Sequence, residues 1–85
     1  MIYRVLLAAR AERSFRKLGR DVQKRLDPAI QALAENPRPP GCKKLGGETF
    51  LWRIRAGDYR IVYQVQDQQL LVLVVKVGHR REIYR

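Results

Sequence analysis

Histidine and cysteine each occur once in this 85-residue sequence, as His79 and Cys42. A lone cysteine permits no intrachain disulfide and suits a reducing, cytosolic setting. Metal hydrolysis needs clustered ligands, and here one His, one Cys and no two adjacent acidic residues are available. No metal and no cofactor is therefore expected. A Cys–His nucleophile pair would have to join Cys42 to His79, and nothing around Cys42 supports it. The segment "GCKKLGGE" (41–48) has glycines and lysines but not the spacing of a phosphate loop, nor does it join a strand to a helix. The longest apolar run, "LLVLVV" (70–75), is far too short to cross a bilayer. The N-terminal "MIYRVLLAARAER" lacks the apolar core of a signal peptide. Repeats and low-complexity segments are absent.

Acidic residues are also scarce. Eight Asp and Glu stand against eighteen Lys and Arg, for a formal charge of +10. Such an excess attracts phosphate-rich or strongly acidic partners: nucleic acid, a ribosome or an acidic protein. It fits a membrane surface less well, because the basic residues are spread along the chain instead of lining one amphipathic helix.

The remainder reads as one small α+β domain over residues 1–85. "IYRVLLA" (2–8) has the β-branched and aromatic composition of a strand. Ala11, Phe15 and Leu18 lie on one face of a helix over 8–18, which Gly19 stops. Asp21 can cap a second helix with the stripe Val22, Leu26, Ala29/Ile30 and Leu33, interrupted or restarted at Pro28. "NPRPPG" (36–41) ends helical structure. Three strands follow, over 49–55, 59–66 and 70–77. The order β-α-α-β-β-β predicts two helices packed on one face of a mainly antiparallel four-stranded sheet, with the other face partly open.

"LWRIRAGDYRIVYQ" (51–64) is the most informative stretch. Gly57-Asp58 suits a two-residue type II′ hairpin turn. An even loop pairs Arg55 with Arg60, Ile54 with Ile61, Arg53 with Val62 and Trp52 with Tyr63; an odd one would spoil the alternation. Arg53, Arg55 and Arg60 then share the open face, two of them directly opposed. Like charges across a strand pair are destabilising, so that face is matched to an anion. Downstream, "GHRREIYR" (78–85) supplies His79, two fixed cations in Arg80 and Arg81, and the phenol of Tyr84. Gly78 offers a point for the chain to leave the sheet.

In this order, R-x-R-x-G-x-Y-R followed by a strand ending in V-G-H-R-R-x-x-Y resembles the RelE/ParE toxin superfamily of type II toxin–antitoxin modules, across essentially the whole chain. The resemblance implies a RelE-like microbial RNase fold and a metal-independent endoribonuclease that cleaves mRNA in the ribosomal A site. It also implies inhibition by a wrapping RelB-like antitoxin, acidic to match this chain. Arg60 corresponds to an arginine on the scissile phosphate, Arg80 to a second catalytic arginine, and Tyr84 to a C-terminal tyrosine that stacks on or orients the substrate. Two family lysines fall on Arg53 and Arg55. Arginine is a poor proton acceptor, which makes His79 the better candidate for general base. Lys43, Lys44 and Arg81 are expected to track rRNA or mRNA backbone. The rival readings are a ParE-like gyrase poison that cuts no RNA, and a non-catalytic relative that only binds nucleic acid or antitoxin.

Overall fold

The computed structural model describes residues 2–45 and 50–81. Its element order is β1 (Arg4–Leu7), α1 (Ala9–Arg16), α2 (Arg20–Ala32), β2 (Lys43–Lys44), β3 (Leu51–Ala56), β4 (Tyr59–Gln66), a 3-10 turn (Asp67–Gln69) and β5 (Leu71–His79). The sheet runs β1-β5-β4-β3-β2. Only β1 lies parallel to its neighbour, β5, and the other pairings are antiparallel. The α+β class is as the sequence predicts. The fifth strand, Lys43–Lys44, is too short for alternation to reveal it.

The helices cover one face. Leu26, Ile30 and Leu33 of the α2 stripe are fully buried, and Ala11 is the buried contact of α1, flanked by half-buried Phe15 and Leu18. They meet Ile54, Ile61, Tyr63, Val65, Val72, Val74 and Val77 from the sheet. At about 25 cal/mol per Å² of apolar area removed from water, this layer is the main source of stability.

Two helix details differ from expectation. The N-cap of α2 is Gly19, not Asp21: Gly19 is extended and its carbonyl takes the Gln23 N–H at 2.9 Å. Asp21 falls in the first turn, where its charge suits the helix dipole. Pro28 neither caps a new helix nor ends this one; α2 runs through it to Ala32. The Gln23 side chain turns back to the Leu18 carbonyl at 2.7 Å and closes the end of α1.

The hairpin register is as predicted at all four pairs, with Gly57 at φ +62. That value is the left-handed conformation a type II′ turn requires at its first central position. Gly78 does not release the chain from the sheet. Strand β5 continues to His79, and the Arg80 N–H still donates to the Asp58 carbonyl at 2.9 Å.

The loop 36–41 is fastened from two sides. Tyr63 donates from its buried hydroxyl to the Pro37 carbonyl at 2.7 Å. Arg38 makes a two-pronged contact with Asp67, at 3.1 and 2.8 Å, and lies 5.1 Å above the Trp52 ring. Tyr3 donates to the same carboxylate at 2.6 Å. Cys42, next in the chain, packs against the core.

Candidate nucleic-acid interface

Cross-strand pairing builds the face opposite the helices in rows. One row is Lys43, Arg53, Val62 and Lys76; the next is Arg55, Arg60 and Gly78. Both alternate with the inward residues Ile54, Ile61 and Val77, so they share the helix-free face. The three hairpin arginines are thus brought together as the alternation predicts.

Their exposure is not uniform. Arg55 is exposed and Arg60 half-buried, but Arg53 retains only 3 % of its surface, as does Val62 beside it. All three lie on the face the alternation predicts, and Arg53 is buried there. It occupies the middle of its row, between the long side chain of Lys43 and the buried Val62. Among the described residues its Nε has no hydrogen-bond partner. A buried donor left without an acceptor is costly, and an anion would supply one.

Other predicted residues divide around this face. Lys43 shares it, whereas Lys44 pairs with Trp52 and takes the other parity. Arg80 and Arg81 are exposed just past the end of β5, and Tyr84 lies outside the described residues. His79 is not with the arginines. It pairs with Tyr59, and the two rings meet edge-on with centroids 5.5 Å apart. Tyr59 packs against the core, so His79 points to the helix side. Its Nδ1 accepts the Arg81 N–H at 3.2 Å.

Sequence reasoning missed two cations. Lys76 is exposed on the arginine face, and the one polar residue in "LLVLVVKV" was the available signal. Arg25 reaches from α2 to the hairpin tip, with Nη1 3.5 Å from where a side chain on Gly57 would begin. Nothing local in the sequence marks that approach.

Beside the rows, an open cavity of about 510 Å³ lies at the edge of β3, lined by Lys43, Arg53 and Arg55 together with Ala29, Ala32 and Pro39. Among the described residues no group of three or more His, Cys, Asp and Glu side chains clusters. Away from this face, acidities are shifted at Asp67 and Tyr63. The hydrogen bond from Arg38, then that from Tyr3, holds the Asp67 carboxyl below the usual carboxylate range. Burial pushes the Tyr63 phenol well up. What this face can do is bind and neutralise phosphate through planar, permanently charged donors.

Known proteins give this surface its context. The family profile of the ParE toxin of type II toxin–antitoxin systems matches residues 5–84. This chain belongs to the RelE/ParE toxin superfamily. The mRNA interferase toxin RelE of Escherichia coli K12 is 34% identical over 99% of the chain and 92% of its own length. The toxin–antitoxin complex RelBE2 of Mycobacterium tuberculosis superposes with a TM-score of 0.84 at 25% identity, covering 96% of this chain and 95% of that one. The intact E. coli RelBE complex superposes at 0.77 with 33% identity, over 93% and 96% of the two chains. These superfamily members match the fold as a whole.

Proposed function

We propose that this toxin is a ribosome-dependent endoribonuclease that cleaves mRNA in the A site, without a metal, and is neutralised by an acidic RelB-like antitoxin. The observation that carries the reading is the convergence of Arg53, Arg55 and Arg60 on one sheet face, where a buried Arg53 Nε has no hydrogen-bond partner among the described residues. The interferase name and RelB-bound structures of its relatives support it.

In RNA cleavage by its own 2′-hydroxyl, that oxygen loses its proton to solvent water and attacks the adjacent phosphorus in line, while the bond to the 5′-oxygen breaks and that oxygen takes up a proton. The five-coordinate species between carries additional negative charge. Preplaced cations are the strongest means of stabilising it, at a few kcal/mol for each well-aimed donor. Arg60 and Arg80 hold the phosphate oxygens, and Arg53 and Arg55 spread the developing charge. Tyr84 orients the substrate, the role carried by the resemblance, or protonates the leaving oxygen. Lys43, Lys76 and Arg81 follow the flanking backbone of mRNA or rRNA. Charge stabilisation is the principal catalytic device, because no arginine accepts a proton at neutral pH.

The antitoxin has a matching surface. Next to the basic rows the same face carries Leu6, Leu73, Gln64 and Leu51, with Leu6 48 % and nearby Phe50 73 % exposed. An acidic chain with apolar anchors fits both parts.

The test is purified protein added to ribosomes programmed with a defined mRNA, with ends mapped by primer extension. Cuts at the A-site codon are expected only when ribosomes are present. Arg60→Ala should reduce them about 10²-fold or more while still binding antitoxin. The family profile that matches 5–84 is named for ParE, which favours gyrase poisoning as the second reading. Absence of cutting by a protein that is still toxic in cells would overturn the ribonuclease reading and direct the next assay to gyrase.

A further inference from the structure

We propose that His79 is a positioning residue: through Nδ1 it holds the turn that carries Arg80, and it takes no proton from the substrate. This rests on the ribonuclease reading and deepens it. Arg80 is tied on both sides. Its own N–H donates to the Asp58 carbonyl in the hairpin turn, at 2.9 Å. The next N–H, of Arg81, donates to His79 Nδ1 at 3.2 Å. A side chain accepting from the N–H two residues on is the pattern of an Asx turn, and here the imidazole nitrogen serves as the acceptor.

The bond also fixes the tautomer. A neutral imidazole with Nδ1 committed as acceptor carries its hydrogen on Nε2, so it has no free lone pair to offer a hydroxyl. The edge-on packing against Tyr59 holds the ring on the helix side, across the sheet from Arg60. Orientation and hydrogen bonding both separate His79 from the phosphate face. The other ionisable groups nearby are Asp58 and Tyr59 on the hairpin, and Arg25, which reaches the hairpin tip from α2.

The experiment compares wild type, His79→Asn and His79→Ala on programmed ribosomes. Asparagine presents an oxygen in place of Nδ1 and favours the Asx turn. His79→Asn should therefore cleave within about threefold of wild type, while His79→Ala falls about 10²-fold, as misplaced catalytic groups do. A His79→Asn variant as impaired as His79→Ala would make His79 a proton-transfer residue and overturn the proposal. Full activity in His79→Ala would overturn it equally. Nitrogen NMR of His79 in the free protein supplies a readout independent of cleavage: the Nε2–H tautomer is expected, and Nδ1–H would refute the turn. If wild type cuts no RNA, the ribonuclease reading falls, and the tautomer still decides whether the imidazole holds the turn.

Discussion

Arg53→Met should make the protein more stable and less active. Arg53 is buried to 3 % exposure, stands directly across from Lys43, and has an Nε with no hydrogen-bond partner among the described residues. A like-charge pair at facing strand positions costs up to about 1 kcal/mol. An unsatisfied buried donor costs about 1–3 kcal/mol. Methionine keeps an unbranched stem of similar reach and removes both penalties, at the loss of the packing of the guanidinium plane. The balance is a gain of about 1–2 kcal/mol, or about 4–8 °C in Tm per kcal/mol for a domain of this size. Urea and thermal unfolding measure the gain. Ribosomal cleavage measures the cost, expected at about 10²-fold because a donor aimed at developing charge is lost. A variant destabilised by 1 kcal/mol or more, with cleavage intact, would show that the guanidinium is a structural group and refute the reasoning.

Three further outcomes follow from the same structure. Tyr63→Phe removes the buried bond to the Pro37 carbonyl and should cost about 1–2 kcal/mol in urea unfolding. Because burial raises the Tyr63 phenol above its unfolded value, its contribution is complete below that value and lost as pH rises toward the folded one. The alkaline fall in stability should accordingly be shallower in the variant. Asp67→Asn acts at the opposite end of the scale: the Arg38 and Tyr3 hydrogen bonds lower this carboxyl, so its contribution is present at neutral pH and disappears on acidification through the folded value. The stability difference between wild type and Asp67→Asn should shrink as pH falls, read from urea midpoints. Gly57→Ala forces an L-residue to φ +62 with Arg25 Nη1 3.5 Å from the new methyl, and should cost about 1–2 kcal/mol in thermal unfolding.

What the sequence made legible was whatever depends on period and local chemistry. Ile54, Ile61, Trp52 and Tyr63 alternate with Arg53 and Arg55, and Gly57 can adopt a conformation that few residues tolerate; these fixed the hairpin register and gathered the arginines. The helical stripe of Leu26, Ile30 and Leu33 was equally clear, since its spacing is set by the helix alone. Less legible were features governed by distant neighbours. The burial of Arg53 depends on strands 43–44 and 59–66, and the parallel pairing of β1 with β5 depends on where two helices return the chain. Asp21 was read as a cap because Asp is a good one, yet Gly19 already had the extended backbone on the last residue before the turn.

The side of the sheet on which each C-terminal residue lies is decided by one extra residue. Val72 and Val74 point to the core, and strict alternation would send Lys76 and Gly78 inward after them, with Val77 and His79 facing outward beside the arginines. The register instead shifts between Val62 and Tyr63, which pair with Lys76 and Val74 and leave Val75 without a directly opposed residue. A bulge of this kind reverses the parity of everything beyond it. Val77 becomes the buried residue and Lys76 joins the row of Arg53. Gly78 falls opposite Arg60, and His79 turns to Tyr59 and the helix side. The same irregularity thus spares the core a lysine, adds a cation to the arginine face and withdraws the imidazole from it. It accounts for why chemistry inferred from residue type alone assigns His79 a proton-transfer role that its place in the ladder does not support.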